Sequence, residues 1–202
     1  SDESPRHHVT LSAFQMTETE VTQDQYSEVI GNNPSYFKAC GGNCPVEQVE
    51  WDDARYFCEK VGGRLPTEAE YEYAARAGTD TIFICGTDVS CLDGSAWYYE
   101  NSSDTAYPSG TTHAVGQKTA NAFGLYDMSG NVWEWCADWY SSTYYSSESV
   151  TDPTGPASGS HRVLRGGSWQ DNGGWNLRAS DRVGVGLPPG RYSSIGFRCA
   201  RD

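Results

Sequence analysis

Apolar residues recur at helical spacing within the first 78 residues of the chain, and that period is lost afterwards. The run Val21-Thr22-Gln23-Asp24-Gln25-Tyr26 predicts a helix start. Thr22 is placed as N-cap, Gln25 as its capping-box partner, and Val21 with Tyr26 as a hydrophobic staple. Tyr26, Val29 and Ile30 form the expected inner face, and the stretch Gly31 to Pro34 ends the element. A second helix is expected from about Asp52, because Ala54, Phe57, Cys58 and Val61 fall at i, i+3, i+4 and i+7. Gly62-Gly63 stops it. A third helix opens in Pro66-Thr67-Glu68-Ala69-Glu70, another capping box, and runs through Tyr71, Ala74 and Ala75 to Gly78. Ahead of all three, Val9 to Phe14 alternates as a strand does.

Beyond residue 78, short apolar runs alternate with clusters of Gly, Ser, Asn, Asp and Pro. Residues 82–85, 132–136, 162–165 and 195–199 are the expected strands, and 141–160 reads as an exposed loop. Two or three helices beside a small antiparallel sheet, with long ordered loops, make an α+β fold. At 202 residues, without repeat or linker, the chain suits a single domain over 1–202.

The 37% hydrophobic content and 22 glycines favour a loop-rich fold over a helical bundle. A net charge of −13 repels phosphate backbones, which argues against nucleic acid as a partner, and it attracts divalent cations. The 7 Trp and 13 Tyr supply amphipathic contact area for cores and binding faces alike. No stretch approaches the roughly 20 apolar residues of a membrane span. No signal peptide is read in the given sequence, and its opening on Ser1-Asp2-Glu3 instead of Met leaves a removed leader open. Cys40 and Cys44, and Cys85 and Cys91, bracket short polar loops that each predict a local disulfide, and hence an extracytoplasmic or cell-surface compartment. The rival use of these thiols is a zinc site, which needs four ligands at recognisable spacing; no second pair or His partner matches. Seven cysteines leave at least one thiol free or paired between molecules.

Several blocks resemble the formylglycine-generating-enzyme (sulfatase-modifying-factor) family. They are Asp2-Glu3-Ser4-Pro5 with His8-Val9, Glu20-Val21-Thr22 with Tyr26, Pro45-Val46 with Val49 and Trp51, and Arg64 to Glu70. The stretch Gly124 to Trp135, Arg165-Gly166-Gly167-Ser168-Trp169 and Gly196-Phe197-Arg198-Cys199 complete the set, in the family's order. The resemblance implies a C-type-lectin-like fold with little regular structure, and a Cys58–Cys199 disulfide tying the second helix to the last strand. Trp133, Trp135 and Trp139 with Tyr126 are expected in the core. Arg165, Arg178, Arg182 and Arg198 are expected in internal ion pairs with Glu70, Glu72 and Glu134.

Catalytic members of that family place two cysteines between the Gly-Gly-Ser-aromatic block and the Gly-Phe-Arg block, where they bind copper(I). Here residues 170–194 contain no cysteine. Copper(I) needs soft thiolates, and Asp171, Asn172 and Asn176 are hard groups, so no copper is expected. His7, His8, His113 and His161 accompany no nucleophile-elbow pattern. The resemblance also implies a structural calcium loop. Asp127 and Glu134 would supply carboxylates, and Gly130 and Val132 backbone carbonyls, the hard oxygens Ca²⁺ prefers. The alternative is that Glu134 pairs with an Arg and Gly130 serves a turn.

These observations favour a non-catalytic ligand-binding or display module. Variable proteins of diversity-generating retroelements, within the same family, bracket their diversified surface with the same two blocks. The corresponding contact residues here are Gln170, Asp171, Asn172, Trp175, Asn176, Val183, Val185, Leu187, Arg191, Tyr192 and Ser193, facing an unidentified protein or small ligand. Two other functions stay open: an oxidoreductase or other enzyme of the family using a different residue set, and a surface protein with a fixed partner.

Overall fold

A computed structural model describes residues 2–186 and 190–202. Helix α1 spans Gln23–Ile30, α2 Trp51–Lys60, α3 Glu68–Arg76 and the short α4 Leu92–Ser95. Strands are β1 Val9–Thr10, β2 Gln15–Met16, β3 Trp133–Trp139, β4 Val150–Thr151, β5 His161–Arg165, β6 Val183–Gly186, β7 Ile195–Gly196 and β8 Ala200–Arg201. The main sheet has the order β6-β5-β3-β7; β1 pairs with β4, and β2 with β8. The fold is α+β.

Both predicted capping boxes form. Thr22 Oγ1 accepts from the Gln25 amide while Gln25 Oε1 accepts from the Thr22 amide, and Thr67 with Glu70 repeats the exchange. α2 starts one residue earlier than expected, with Glu50 and Asp53 as a third capping box. Two positions leave the expected stripes. Val29 is exposed, and Val61 lies beyond the last helical residue, where the chain turns into solvent. Residues 82–85 form no strand; Phe83 and Gly86 close a tight turn beside the Cys85–Cys91 disulfide. The strand expected over Val9 to Phe14 breaks into β1 and β2, which pair with different partners.

β3 is the centre of the molecule, and its first four residues are buried on both faces. Trp133 and Trp135 pack with Val46, Trp51, Ala54, Phe57, Leu65 and Phe197 in one core. Cys136 packs with Tyr71, Ala74, Met128 and Val163 in a second. α2 covers the first core and α3 the second. A third, smaller cluster of Phe83, Leu92, Ala96, Tyr98 and Leu177 lies under the loops that follow β5.

Three disulfides are present: Cys58–Cys199, Cys40–Cys44 and Cys85–Cys91. Among the described residues Cys136 is the free cysteine, and it is buried. No helix of the described residues is long and apolar enough to cross a membrane.

Candidate functional site

The stretch after β5 begins with two glycines at positions where any side chain would be strained. Gly166 and Gly167 have φ of 96° and 77°, the left-handed region glycine tolerates. A Cβ at Gly166 would sit 2.5 Å from the Tyr71 hydroxyl, and one at Gly167 2.5 Å from Leu177 Cδ2. The turn delivers Ser168, fully buried, to Asp171. Asp171 Oδ2 accepts from the Ser168 amide at 3.0 Å and its hydroxyl at 2.7 Å, and Oδ1 accepts from Asn176 Nδ2 at 2.6 Å. Asp171 and Asn176 are therefore clamps of the loop more than outward contacts. Gly173 presses on Tyr98, Val89 and Leu92, and Leu177 anchors the far end in the third cluster.

Other side chains of the stretch point outward from this pinned backbone. Trp175 is 72% exposed, with the Arg178 guanidinium 5.3 Å from its ring centroid. Gln170 and Asn172 are exposed; Gln170 donates to Ser194 Oγ, which joins it to the far end of the segment. The Trp169 indole N–H donates to the Ser193 carbonyl, a second cross-link of the two ends. Tyr192 is 48% exposed and its carbonyl accepts from the Gln48 amide. Arg191 reaches the start of α2, pairing with Asp53 at 2.9 Å and Glu50 at 3.4 Å.

Two of the predicted contacts belong to another neighbourhood. Val183 and Val185 lie on β6, the edge strand beside β5, and Val185 packs against the first core. Leu187 lies outside the described residues.

The sequence did not single out the aromatic collar that adjoins this stretch. Phe37 meets Trp169, Tyr107 and Tyr36 edge-on, with centroids 5.3, 4.9 and 4.9 Å apart. Tyr36 is 64% exposed, and Tyr99, whose amide donates to the Asp171 carbonyl, is 61% exposed. Glu47 holds this loop from below: its Oε1 accepts from the Phe37 amide at 2.8 Å, and its Oε2 is buried with no hydrogen bond among the described residues. Burial pushes its carboxyl up to about 7. The site thus offers aromatic faces, amides and hydroxyls, without a thiol. Cys136 is remote from it in the second core, and burial pushes its thiol far up.

The predicted calcium residues adjoin Gly166, whose carbonyl accepts from the Gly130 amide. Asp127, Gly130 and Asn131 all have positive φ, and Asp and Asn are the non-glycine residues that accept it most readily. Glu134 takes a bidentate pair from Arg198 (2.7 and 2.8 Å) and a hydrogen bond from the Tyr71 hydroxyl. A carboxylate has about four acceptor sites, so one of Glu134 stays open. Asp127 Oδ2 accepts from the Gly116 amide, while its Oδ1 is buried and unpartnered among the described residues. The carbonyls of Gly130 and Val132 likewise accept no hydrogen bond among the described residues. Glu20, Asp127 and Glu134 are all buried around one buried guanidinium. Desolvation raises each of the three carboxyls, and their mutual repulsion raises Glu20 and Glu134 further. The open oxygens and the surplus of negative charge fit a hard divalent cation. Among the described residues no group of three or more His, Cys, Asp and Glu side chains forms a metal site, so such an ion would depend on the carbonyls.

Of the four arginines expected in internal ion pairs, Arg165 and Arg198 pair with the expected acids Glu72 and Glu134, whereas Arg182 and Arg178 pair instead with Glu68 and Glu3. Glu70 is the exception among the acids, pairing with Arg64.

Comparison with known proteins places this geometry. The chain is 38% identical to the formylglycine-generating enzyme of Streptomyces coelicolor over 172 residues, covering 79% of this chain and 53% of the enzyme. It is 33% identical to serine/threonine-protein kinase pkn1 of Chlamydia pneumoniae, over all of this chain and 35% of the kinase. It therefore spans about half the length of the one and a third of the other. The solved structure of Treponema denticola variable protein 1 matches with a TM-score of 0.88 and 36% identity, over 96% of this chain and 86% of that one. The profile of the sulfatase-modifying factor enzyme 1-like domain matches residues 1–202, and the chain belongs to that family.

Proposed function

We propose that this domain is a non-catalytic ligand-binding module whose contact surface is the stretch between Trp169 and Ser194 together with the aromatic collar of Tyr36, Tyr99 and Tyr107. The observation that carries the reading is the separation of roles within the stretch. Asp171, Asn176 and Leu177 pin the backbone, while Gln170, Asn172, Trp175 and Tyr192 face solvent. Rigid aromatic anchors beside adaptable amides are what recognition surfaces use. The likeness to a protein named as variable supports a surface that differs between copies, as in variable proteins of diversity-generating retroelements. The alternative, oxidation in the manner of formylglycine-generating enzymes, has the identity to those enzymes behind it but lacks thiols in the stretch. The disulfides support an oxidising, extracytoplasmic setting for either.

Sequencing the coding segment for residues 160–202 across many clones of the source population tests the reading. Substitutions confined to outward positions of 170–194, with Arg165–Trp169 and Gly196–Cys199 fixed, support a diversified receptor. An invariant segment removes diversification and leaves a fixed partner. Oxygen consumption with copper and a cysteine-bearing peptide would replace both with an enzyme.

The calcium loop is part of the same proposal. Asp127, Glu134 and the carbonyls of Gly130 and Val132 would hold the ion, which supplies charge neutralisation to the loop ahead of β3 and no chemistry at the contact surface.

A further inference from the structure

We propose that the contact surface takes a basic segment of a protein partner, whose Lys and Arg side chains meet a fixed acidic wall beside the outward stretch. The inference rests on the contact surface proposed above and names the class of its partner.

The wall is the run 77–117 that follows α3. No Lys or Arg occurs between Arg76 and Lys118, while Asp80, Asp88, Asp93, Glu100 and Asp104 fall within it. All five acids are exposed, and among the described residues none is in an ion pair. Asp93 has a lysine beside it, since Lys118 Nζ donates to its carbonyl. The run lies along the outward stretch. Ser102 Oγ donates to the Trp169 carbonyl, the Tyr99 amide to the Asp171 carbonyl, and the Ala179 amide to the Ile82 carbonyl. Val89 lies so close to Gly173 that an added Cβ would meet it at 3.1 Å. Asp88, Glu100 and Asp104 are each within two residues of one of these contacts, so they flank the stretch.

The stretch itself does not answer this charge. Arg178 is taken by Glu3 and Asp181, Arg182 by Glu68, and Arg191 by Glu50 and Asp53. Lys38, next to Phe37 of the collar, is an exposed cation without an ion pair among the described residues. In a chain of net charge −13, a face whose acids outnumber its free cations attracts and orients a cationic partner.

The aromatic rings give that attraction a geometry. Tyr36, Tyr99 and Trp175 are 64%, 61% and 72% exposed, and the faces of such rings attract ammonium and guanidinium groups. The molecule already makes this pairing with its own cations: Lys118 lies 3.9 Å from the Trp97 centroid, and Arg162 lies 3.6 and 3.5 Å from those of Trp51 and Trp139. Beneath the collar, Glu47 is fully buried and its Oε2 is an acceptor without a hydrogen bond among the described residues. A neutral ligand would use the rings and leave the acids unanswered; a basic segment answers both. The wall lies outside residues 170–194, so exchange of the outward positions leaves it in place. It sets the class of partner, and the stretch sets which member of that class binds.

The probe is a fluorescein-labelled synthetic peptide of alternating Arg and Ser, titrated with the whole chain and followed by anisotropy, with a Glu-for-Arg peptide as control. Saturable binding of the Arg peptide alone is expected, weakening about ten-fold or more as salt rises from about 0.05 to about 0.5 M and the Debye length shrinks. Glu100→Lys should weaken it about ten-fold. Glu59→Lys, the same charge change on the last turn of α2, should weaken it less than about two-fold. Trp175→Ala and Tyr99→Ala should each weaken it several-fold at unchanged net charge, and Lys38→Glu should strengthen it. All five side chains are exposed, so the fold is retained, which an unchanged unfolding temperature confirms. Equal binding of the two peptides, binding of neither, equal losses for Glu100→Lys and Glu59→Lys, or indifference to both ring deletions overturns the proposal. So does saturable binding of a neutral oligosaccharide such as maltoheptaose without binding of the Arg peptide, which would make the rings a sugar platform. The clone survey reads the contact surface separately: variation confined to its outward positions, together with failure of the Arg peptide, would remove the charge selection and leave the surface standing.

Discussion

If Asp171 clamps the loop and Trp175 is displayed by it, the two substitutions must differ sharply in cost although they lie four residues apart. Asp171→Ala removes three hydrogen bonds, two of them to fully buried Ser168 and one to Asn176. The Ser168 amide and hydroxyl are then buried without a partner, and an orphaned buried donor costs about 1–3 kcal/mol. Trp175→Ala removes a ring that is 72% exposed. Its loss forfeits some packing with Arg178, which keeps its bidentate pair with Glu3, so the expected change is within about 0.5 kcal/mol. Trp135→Ala, at the centre of the first core, calibrates the scale at about 3–5 kcal/mol. Urea unfolding followed by Trp fluorescence and far-UV dichroism reads all three. With two donors orphaned, about 2–6 kcal/mol together, and a slope of about 2–3 kcal/mol/M, Asp171→Ala should move the midpoint down by about 0.7–3 M and Trp175→Ala by less than about 0.3 M. Equal shifts for the two would refute the division into clamps and contacts, and with it the argument for a displayed surface.

Three further outcomes follow from the same geometry. Calcium should raise the unfolding temperature and EDTA should lower it; Asp127→Asn, which keeps an oxygen, should preserve this response, whereas Asp127→Ala should remove it, and an indifferent wild type would leave Glu134 to Arg198 alone. Replacing Cys58 and Cys199 by Ser opens a link between residues 141 apart, for which chain entropy gives about 5 kcal/mol against about 2 kcal/mol for either short loop; equal losses in denaturant titrations would show that strain or residual structure dominates. Glu47 holds its proton to about pH 7 in the fold, against 4.5 as the ordinary value, so between those pH values the folded state binds more protons and stability falls as pH rises. The cost is absent below about 4.5 and complete above 7, and Glu47→Gln should flatten that part of the pH profile measured by urea midpoint.

What the sequence disclosed and what it hid divide along a physical line. The helices with Thr22 and Thr67 as N-caps were legible because a capping box is a contract between residues three apart. The start of α2 was misplaced by one because Glu50 is an uncommon N-cap. β6 was invisible: Val183-Gly184-Val185-Gly186 has half its positions filled by a residue that strands disfavour. It forms because Gly184 leaves room for the Tyr140 ring, whose atoms would lie 2.4 Å from an added Cβ, and Gly186 lies against the imidazole of His161. The arrangement of the proposed contact surface was half legible. Its boundaries were set by the glycine turn and the Gly-Phe-Arg block, but Asp171 and Asn176 look as exposed in the sequence as Asn172 does. The aromatic collar left no local trace, since Phe37 and Trp169 are far apart in the chain and meet only through the fold.

That division also bears on how one frame can serve either oxidation or recognition. The stretch from Gln170 to Ser194 is held at both ends by groups that owe nothing to its outward side chains. Arg165, entirely buried, is bonded to Glu72 and to the carbonyls of Ala179 and Asp181. Arg198, also entirely buried, is bonded to Glu134 and to the carbonyl of Tyr126. Removing the Arg198 guanidinium would strand the buried Glu134 carboxylate at a cost of about 3–5 kcal/mol, and removing that of Arg165 would take the donor from the carbonyls of Ala179 and Asp181 while Glu72, partly exposed, keeps Arg76. Changing Trp175, Asn172 or Tyr192 strands nothing. On the proposed reading, stability constrains the bracketing blocks and not the outward positions, whether these carry a thiol pair or an aromatic contact. An exchange of chemistry for binding at this surface requires no rearrangement of the scaffold beneath it.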